Sequence, residues 1–183
     1  FHWQNWDFYV VLHPREGLVL YDVRFGGRRV AYRVSASEAY VPYGIGDVNW
    51  LWRSAFDLGE YGLGYYAQNL EVDHDVPTNA QFLNATFASD TGGSANYQNS
   101  IGVYERFDGV AWTRTDPSTG ARDSRGGRAL IVHWNTWIGN YIYAFDWTFR
   151  QDGSLDVVLG ATGTTVNRAT ATDEGEGPVD NAA

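Results

Sequence analysis

Apolar side chains in this chain recur at every second position over short stretches, and turn-forming dipeptides separate the stretches. From Gly17 to Phe25 the alternating residues are Val19, Tyr21, Val23 and Phe25. A period of two marks a half-buried β-strand. Gly26-Gly27 follows, with the positive φ that a two-residue hairpin turn needs, and Val30, Tyr32 and Val34 resume the pattern among Arg29, Ala31 and Arg33. Asp108-Gly109 predicts a second hairpin between Val103–Phe107 and Val110–Arg114. Asp152-Gly153 predicts a third, between an aromatic strand ending near Phe149 and the segment Leu155–Leu159. In the aromatic strand Tyr143, Phe145, Trp147 and Phe149 share one face, and Ala144, Asp146 and Thr148 share the other. No stretch holds a 3.6-residue period over three turns. The pattern predicts an all-β chain with little helix, an antiparallel β-sandwich or part of one.

Composition narrows the functional classes. The 183 residues suffice for one domain, and with 44% hydrophobic and 16% aromatic residues the chain as a whole is not disordered. A net charge of −9 repels phosphate backbones and anionic headgroups, which argues against nucleic acid or a membrane surface as partner. All 13 basic residues are Arg, so lysine Schiff-base and P-loop chemistry are excluded. With no Cys there are no disulfides, thiol nucleophiles or zinc-thiolate sites. No apolar run reaches the ~18 residues of a membrane span. The chain begins at Phe1 without Met and without a signal-peptide pattern, which reads as a processed chain or an excised piece. Residues 1–168 are expected to form the sandwich domain, and residues 169–183, small and acidic, a flexible tail.

Two loops interrupt the strand texture. Val41–Gly64 is long and rich in Gly, Asp and aromatics, the kind of loop that more often carries function than not. Within it Asp57 lies among apolar neighbours that could desolvate a general base, although composition alone favours an Asp that caps a turn. The second loop, Asp73–Thr78, holds His74 between two acids, where a solvated acidic loop competes with weak cation binding. His2, His13, His74 and His133 show no metal-binding spacing. Asn84-Ala85-Thr86 fits the N-glycosylation pattern, which chains of this length often meet by chance. In Asn140-Tyr141-Ile142-Tyr143 the two tyrosines face one side of a strand, for which core packing is the default explanation.

Taken in order, the segments Arg15–Leu20, Arg29–Arg33, Ala39–Gly44, Phe56–Gly64, Asn140–Tyr143 and Gln151–Gly153 resemble the catalytic domain of the copper-containing primary amine oxidases. The likeness spans most of residues 3–163. It implies that family's β-supersandwich and a set of roles by position. Tyr141 falls where copper and O₂ convert a tyrosine to the topaquinone cofactor, Asp57 on the general base, and Tyr43 on the tyrosine that hydrogen-bonds the quinone. Asn140 matches the residue that helps hold the ring's orientation. In the implied reaction a primary amine condenses with the quinone, and the aspartate removes a proton from its α-carbon. Aldehyde, ammonia and hydrogen peroxide are the products.

The departures from the family pattern are specific. Ile142 stands where the family has an acid, and the paired disulfide cysteines fall at Val76 and Gly102. The family's His-Glu stretch appears as Tyr104-Glu105, the Lys-His pair as Thr113-Arg114, and the substrate-gate aromatic as Ala55. The family's copper-binding His-x-His pair and third His are not reached, so the copper ligands are expected outside this chain. The resemblance therefore implies the N-terminal portion of an oxidase domain, inactive without a copper-binding C-terminal chain or segment. Open strand edges in half a sandwich point to an oligomeric assembly. An extracellular or cell-surface location follows from family analogy. The alternative is a non-catalytic structural or binding sandwich descended from the same fold.

Overall fold

The computed structural model of the chain describes residues 1–43, 54–89 and 91–165. Strands β1 (His2–Trp3), β2 (Trp6–His13), β3 (Gly17–Phe25) and β4 (Arg28–Val34) form one antiparallel sheet in sequence order. Strands β5 (Tyr40–Pro42) and β6 (Ser54–Phe56) pair with each other, and a π-helical turn, Asp57–Tyr61, and a 3₁₀ turn, Leu63–Tyr66, follow. Strands β7 (Gln81–Ala88), β8 (Ser94–Thr115), β9 (Arg122–Ile138), β10 (Tyr141–Arg150) and β11 (Leu155–Gly163) form a second sheet in the order β11-β10-β9-β8-β7. The antiparallel sandwich expected from the alternation is what forms. The expected tail, residues 169–183, lies outside the described residues, as do residues 44–53 of the long loop.

One core joins the two sheets. Trp6, Phe8, Leu18, Leu20 and Val23 of the first meet Leu130, Val132, Trp134, Phe145, Trp147 and Phe149 of the second. Phe8 stacks on Phe149 with ring centroids 4.2 Å apart, and Trp6 meets Phe149 edge-on at 5.2 Å. The Trp6 indole N–H donates to the Arg150 carbonyl at 2.7 Å, so burying this ring leaves its polar atom paired.

Two of the three predicted turns form where expected. Gly26 and Gly27, at φ +57° and +78°, connect β3 to β4. Residues 151–154 connect β10 to β11, with Gly153 at φ +91°. The Asp108-Gly109 hairpin does not form. These residues lie inside the continuous strand β8, where the pairing with β9 shifts register between Phe107 and Val110. Gly109 at φ +83° makes a bulge, and Arg150 Nε donates to the Asp108 carboxylate at 2.8 Å, holding the bulge against the sheet. The chain reverses later, at residues 116–121, where the Asp116 carboxylate accepts the Ser118 N–H at 2.8 Å.

A second bulge resets the alternation in β3. Leu18 and Leu20 enter the core, Asp22 adopts φ +48°, and the pattern resumes on the other parity with Val23. The simple reading, with Val19, Tyr21, Val23 and Phe25 on one face, therefore fails at Asp22, whose carboxylate is held by Arg24 and Arg29. Val30 and Tyr32 of β4 are exposed. Val76 lies against Gly102, where a Cβ would come within 2.8 Å of Val76 Cγ1. The valine thus fills the space between the two positions to which the family's cysteines fall.

Gly17 combines φ +71° with a wall of core, since a Cβ there would lie 1.9 Å from Trp134 Cη2. Gly17→Ala is expected to destabilise the fold by about 3 kcal/mol, through a left-handed alanine and overpacking together. Gly26→Ala, where no atom lies within 4 Å, is expected to cost only about 1 kcal/mol. Urea denaturation of the three proteins measures both, and equal losses would contradict the packing argument.

Candidate active site

The inner face of β10 leads from the core into the candidate site. Phe149, Trp147 and Phe145 are buried against the first sheet, and the same side of the strand then presents Tyr143 and Tyr141. Ile142, between the two tyrosines, faces the other side, paired with Trp137 of β9 and Thr162 of β11. The residue in place of the family's acid thus points away from this face.

Asp57 heads the π-helical turn and is 3% exposed. Several bonds place it. Its N–H donates to the Ala39 carbonyl at 3.0 Å, and further along Leu63 N donates to Arg15 O at 2.8 Å and Tyr65 N to Pro14 O at 3.0 Å. The Thr136 hydroxyl of β9 donates to Leu63 O at 2.6 Å. The segment is thereby tied to the β2–β3 hairpin and to the second sheet at once.

The carboxylate meets the inner face of β10 through Tyr143, whose hydroxyl donates to Asp57 Oδ2 at 2.8 Å. Two residues along, the Tyr141 hydroxyl accepts a long hydrogen bond from the Tyr43 hydroxyl at 3.4 Å. Asp57, Tyr143, Tyr141 and Tyr43 thus form one group of neighbours around the end of β10. Asn140 is exposed in the β9–β10 turn, where its carbonyl accepts the Thr164 N–H at 2.8 Å. The expectation that Tyr143 is simply core misses its part in the site. The only sequence signal was a tyrosine, with a hydroxyl to satisfy, next to Phe145, Trp147 and Phe149 on the same strand face.

Burial pushes the Asp57 carboxyl above its ordinary range. The Tyr143 hydrogen bond opposes the shift, and the charges of Glu38 and Glu60 add to it. Burial, and then the hydrogen bond to Asp57, raise the Tyr143 phenol, which stays a proton donor at neutral pH. The arrangement is a desolvated carboxylate with a neutral phenol on one oxygen. Among the described residues Asp57 Oδ1 accepts no hydrogen bond, so that oxygen is available to a further proton donor.

The histidines do not converge. His2 pairs with Asp7, His74 with Glu71 at 3.0 Å, and His133 with Asp146 at 2.7 Å, while the His13 ring accepts backbone N–H groups. Asp75, beside His74, accepts from Asn135 and from the Glu71 N–H. Among the described residues no group of three or more His, Cys, Asp or Glu could hold a metal ion. Copper therefore has no fitting donor set in these residues. Tyr141 fits as a quinone precursor, being a half-buried phenol on the same strand face as the carboxylate's partner.

Linkage gives the sign of a test. A carboxyl whose native midpoint lies above its unfolded one is protonated in the fold when the unfolded chain has already lost the proton. Stability therefore falls as pH rises between the two midpoints. Asp57→Asn lacks this penalty and keeps an acceptor for Tyr143. It should gain stability relative to wild type as pH rises from the ordinary carboxylate range to the raised midpoint, with a constant difference above it. Urea midpoints of both proteins across that range measure the difference, and a pH-independent gap would contradict the raised midpoint.

Comparison with known proteins matches residues 1–181 to the family described as copper amine oxidase, enzyme domain. The chain is 35% identical over 166 residues to a primary amine oxidase of Klebsiella aerogenes, and 36% identical to the peroxisomal copper-containing diamine oxidase 1 of Nicotiana tabacum. Each alignment covers 88% of this chain, but only 22% and 21% of the respective relative. A solved copper-containing benzylamine oxidase from Hansenula polymorpha superposes with a TM-score of 0.85 at 30% identity, over 94% of this chain and 27% of its own. An Aspergillus nidulans amine oxidase superposes with a TM-score of 0.83 at 26% identity, over 91% of this chain and 22% of its own. The chain spans about a quarter of the length of these relatives. Among the described residues no helix is long and apolar enough to cross a membrane. With an enzyme-domain match over nearly its whole length, the chain belongs to the copper amine oxidase family.

Proposed function

We propose that this chain supplies the proton-abstracting part of a copper and topaquinone primary amine oxidase, which deaminates primary amines to aldehyde, ammonia and hydrogen peroxide. The observation that carries the reading is the hydrogen bond from Tyr143 to the buried Asp57, on the strand face that also bears Tyr141. When formed, the quinone supplies an electrophilic carbonyl to which a primary amine adds. Tyr141 is its precursor, Tyr43 holds the phenolic oxygen of that ring, and Asn140 limits the ring's swing at the start of β10.

Asp57 takes the proton from the α-carbon of the bound amine. Burial raises its affinity for that proton. Tyr143 occupies Oδ2, which restrains the carboxyl group and leaves Oδ1 for the incoming proton. Ala55 stands two residues before the base, on the strand leading into the turn, where the family resemblance places a gate aromatic.

The copper-binding residues come from a C-terminal chain or segment of the complete protein, and without it the chain neither forms its quinone nor turns over. The much greater length of the relatives supports that reading. Exposed Val157, Val158 and Leu159 on β11, at the edge of the second sheet, give such a segment a place to pair. Assembly into an oligomer, O₂ as the oxidant, and a location outside the cell or on its surface belong to the same proposal, on family analogy.

The test uses the longest native polypeptide containing this chain, loaded with copper in air. The Tyr141 peptide is expected to gain two oxygen atoms and lose two hydrogens, and to stain by quinone redox cycling. Asp57→Asn should keep that modification yet lower amine turnover about 10²–10⁴-fold. An unmodified Tyr141 would instead favour a non-catalytic sandwich descended from the fold, and undiminished turnover would remove Asp57 as the base.

A further inference from the structure

The turn that presents Asp57 is held from behind by a second carboxylate. Glu38 lies in the link between β4 and β5, and its Oε1 accepts the backbone N–H of Leu58 at 2.9 Å, of Gly59 at 3.4 Å and of Ala39 at 3.1 Å. Its other oxygen, Oε2, accepts from Arg15 Nη2 at 3.3 Å, and Arg15 Nη1 donates to the Ser37 carbonyl at 3.4 Å. Arg15 belongs to the β2–β3 hairpin, whose carbonyls also receive Leu63 and Tyr65. Leu58 and Gly59 are the two residues after Asp57, and their amides open a helical turn that has no side-chain cap of its own. An acceptor at this end of the turn satisfies donors that would otherwise have no intrahelical partner.

We propose that Glu38, tied back by Arg15, is a positioning residue for Asp57, fixing the direction of its carboxylate by accepting the Leu58 and Gly59 N–H groups. The role rests on the reading of Asp57 as the proton acceptor. Glu38 does not touch the reacting atoms and acts through the turn.

Its charge has a second effect. The groups that face Asp57 are Tyr143 from β10, with Tyr141 and Tyr43 behind it, Glu38 from the β4–β5 link, and Glu60 within the turn. The phenol lowers the affinity of Asp57 for a proton, and the two glutamates raise it. Glu38 itself is held below its ordinary range: burial works against this, and the backbone N–H groups of Leu58, Ala39 and Gly59 together with Arg15 overcome it. It therefore stays ionised at pH values where Asp57 titrates. One side chain thus orients the base and keeps it basic.

Two variants of the full chain separate these effects from simple folding. Glu38→Gln keeps an oxygen for the two amides and loses the charge. Hydrogen exchange at Leu58 and Gly59 should stay near wild type, while the Asp57 carboxyl, followed by carbon-13 NMR, titrates at lower pH. Glu38→Ala removes the acceptor, and exchange at the same two amides should quicken about tenfold to a hundredfold. Val132 and Phe145, in the core, should keep their protection. If Glu38→Ala loses protection throughout, the Gln variant still decides. An Asp57 titration unmoved in Glu38→Gln, or Leu58 and Gly59 protected as before in folded Glu38→Ala, would overturn the proposal. Neither readout involves Tyr141. An unoxidised Tyr141 would count against the oxidase reading and leave these results standing, and an unmoved Asp57 titration would do the reverse.

Discussion

Strand parity along β10 couples the core of this protein to its candidate site. Tyr141, Tyr143, Phe145, Trp147 and Phe149 lie on one side of the strand because successive side chains alternate. The deeper three are buried in the core between the sheets, with Phe149 stacked on Phe8 of the first sheet and Phe145 on Trp134 of the neighbouring strand β9. A slip of one residue between β9 and β10 would expose those rings and turn both tyrosines away from Asp57. The hydrophobic core therefore fixes the register that aims the site. The same parity explains why the chain accommodates Ile142, whose side chain falls on the opposite face.

The carboxylate at the end of that face is in an unfavourable place. A buried Asp without partners would take up a proton or destabilise the fold. Here one phenol partly offsets the burial, and two glutamates in the neighbourhood work against the phenol. This balance leaves an ionisable group that is more basic than an ordinary carboxylate, the direction that proton abstraction from carbon favours. The backbone carries the cost of holding it there. The turn bearing Asp57 is bonded to Ala39, to the β2–β3 hairpin and to Thr136 of β9, and Glu38 closes its open end.

Much of the fold was legible because it rests on local rules. Gly26-Gly27 and Asp152-Gly153 supply turn geometry, and the aromatic alternation of β10 placed its buried face correctly. Asp108-Gly109 misled because a bulge asks for the same residues as a turn. What decides between them is non-local, namely the Arg150 side chain gripping Asp108 and the partner strand continuing alongside. Asp22 was invisible for a similar reason, since its left-handed backbone is stabilised by two arginines, one of them across the hairpin. In the site, family resemblance pointed to Asp57, Tyr141, Tyr43 and Asn140. The partners that set the chemistry of Asp57, Tyr143 and Glu38, lie 86 and 19 positions away in sequence and carry no motif that links them to it.

The candidate site depends on a carboxyl group kept dry beside a neutral phenol. Carbon-13 titration of Asp57 in the wild-type chain and in Tyr143→Phe tests it most directly. The midpoint should lie above the ordinary carboxylate range in the wild type and rise further when the donor hydroxyl is removed. A wild-type midpoint in the ordinary range, or one that Tyr143→Phe leaves unchanged, would contradict the account.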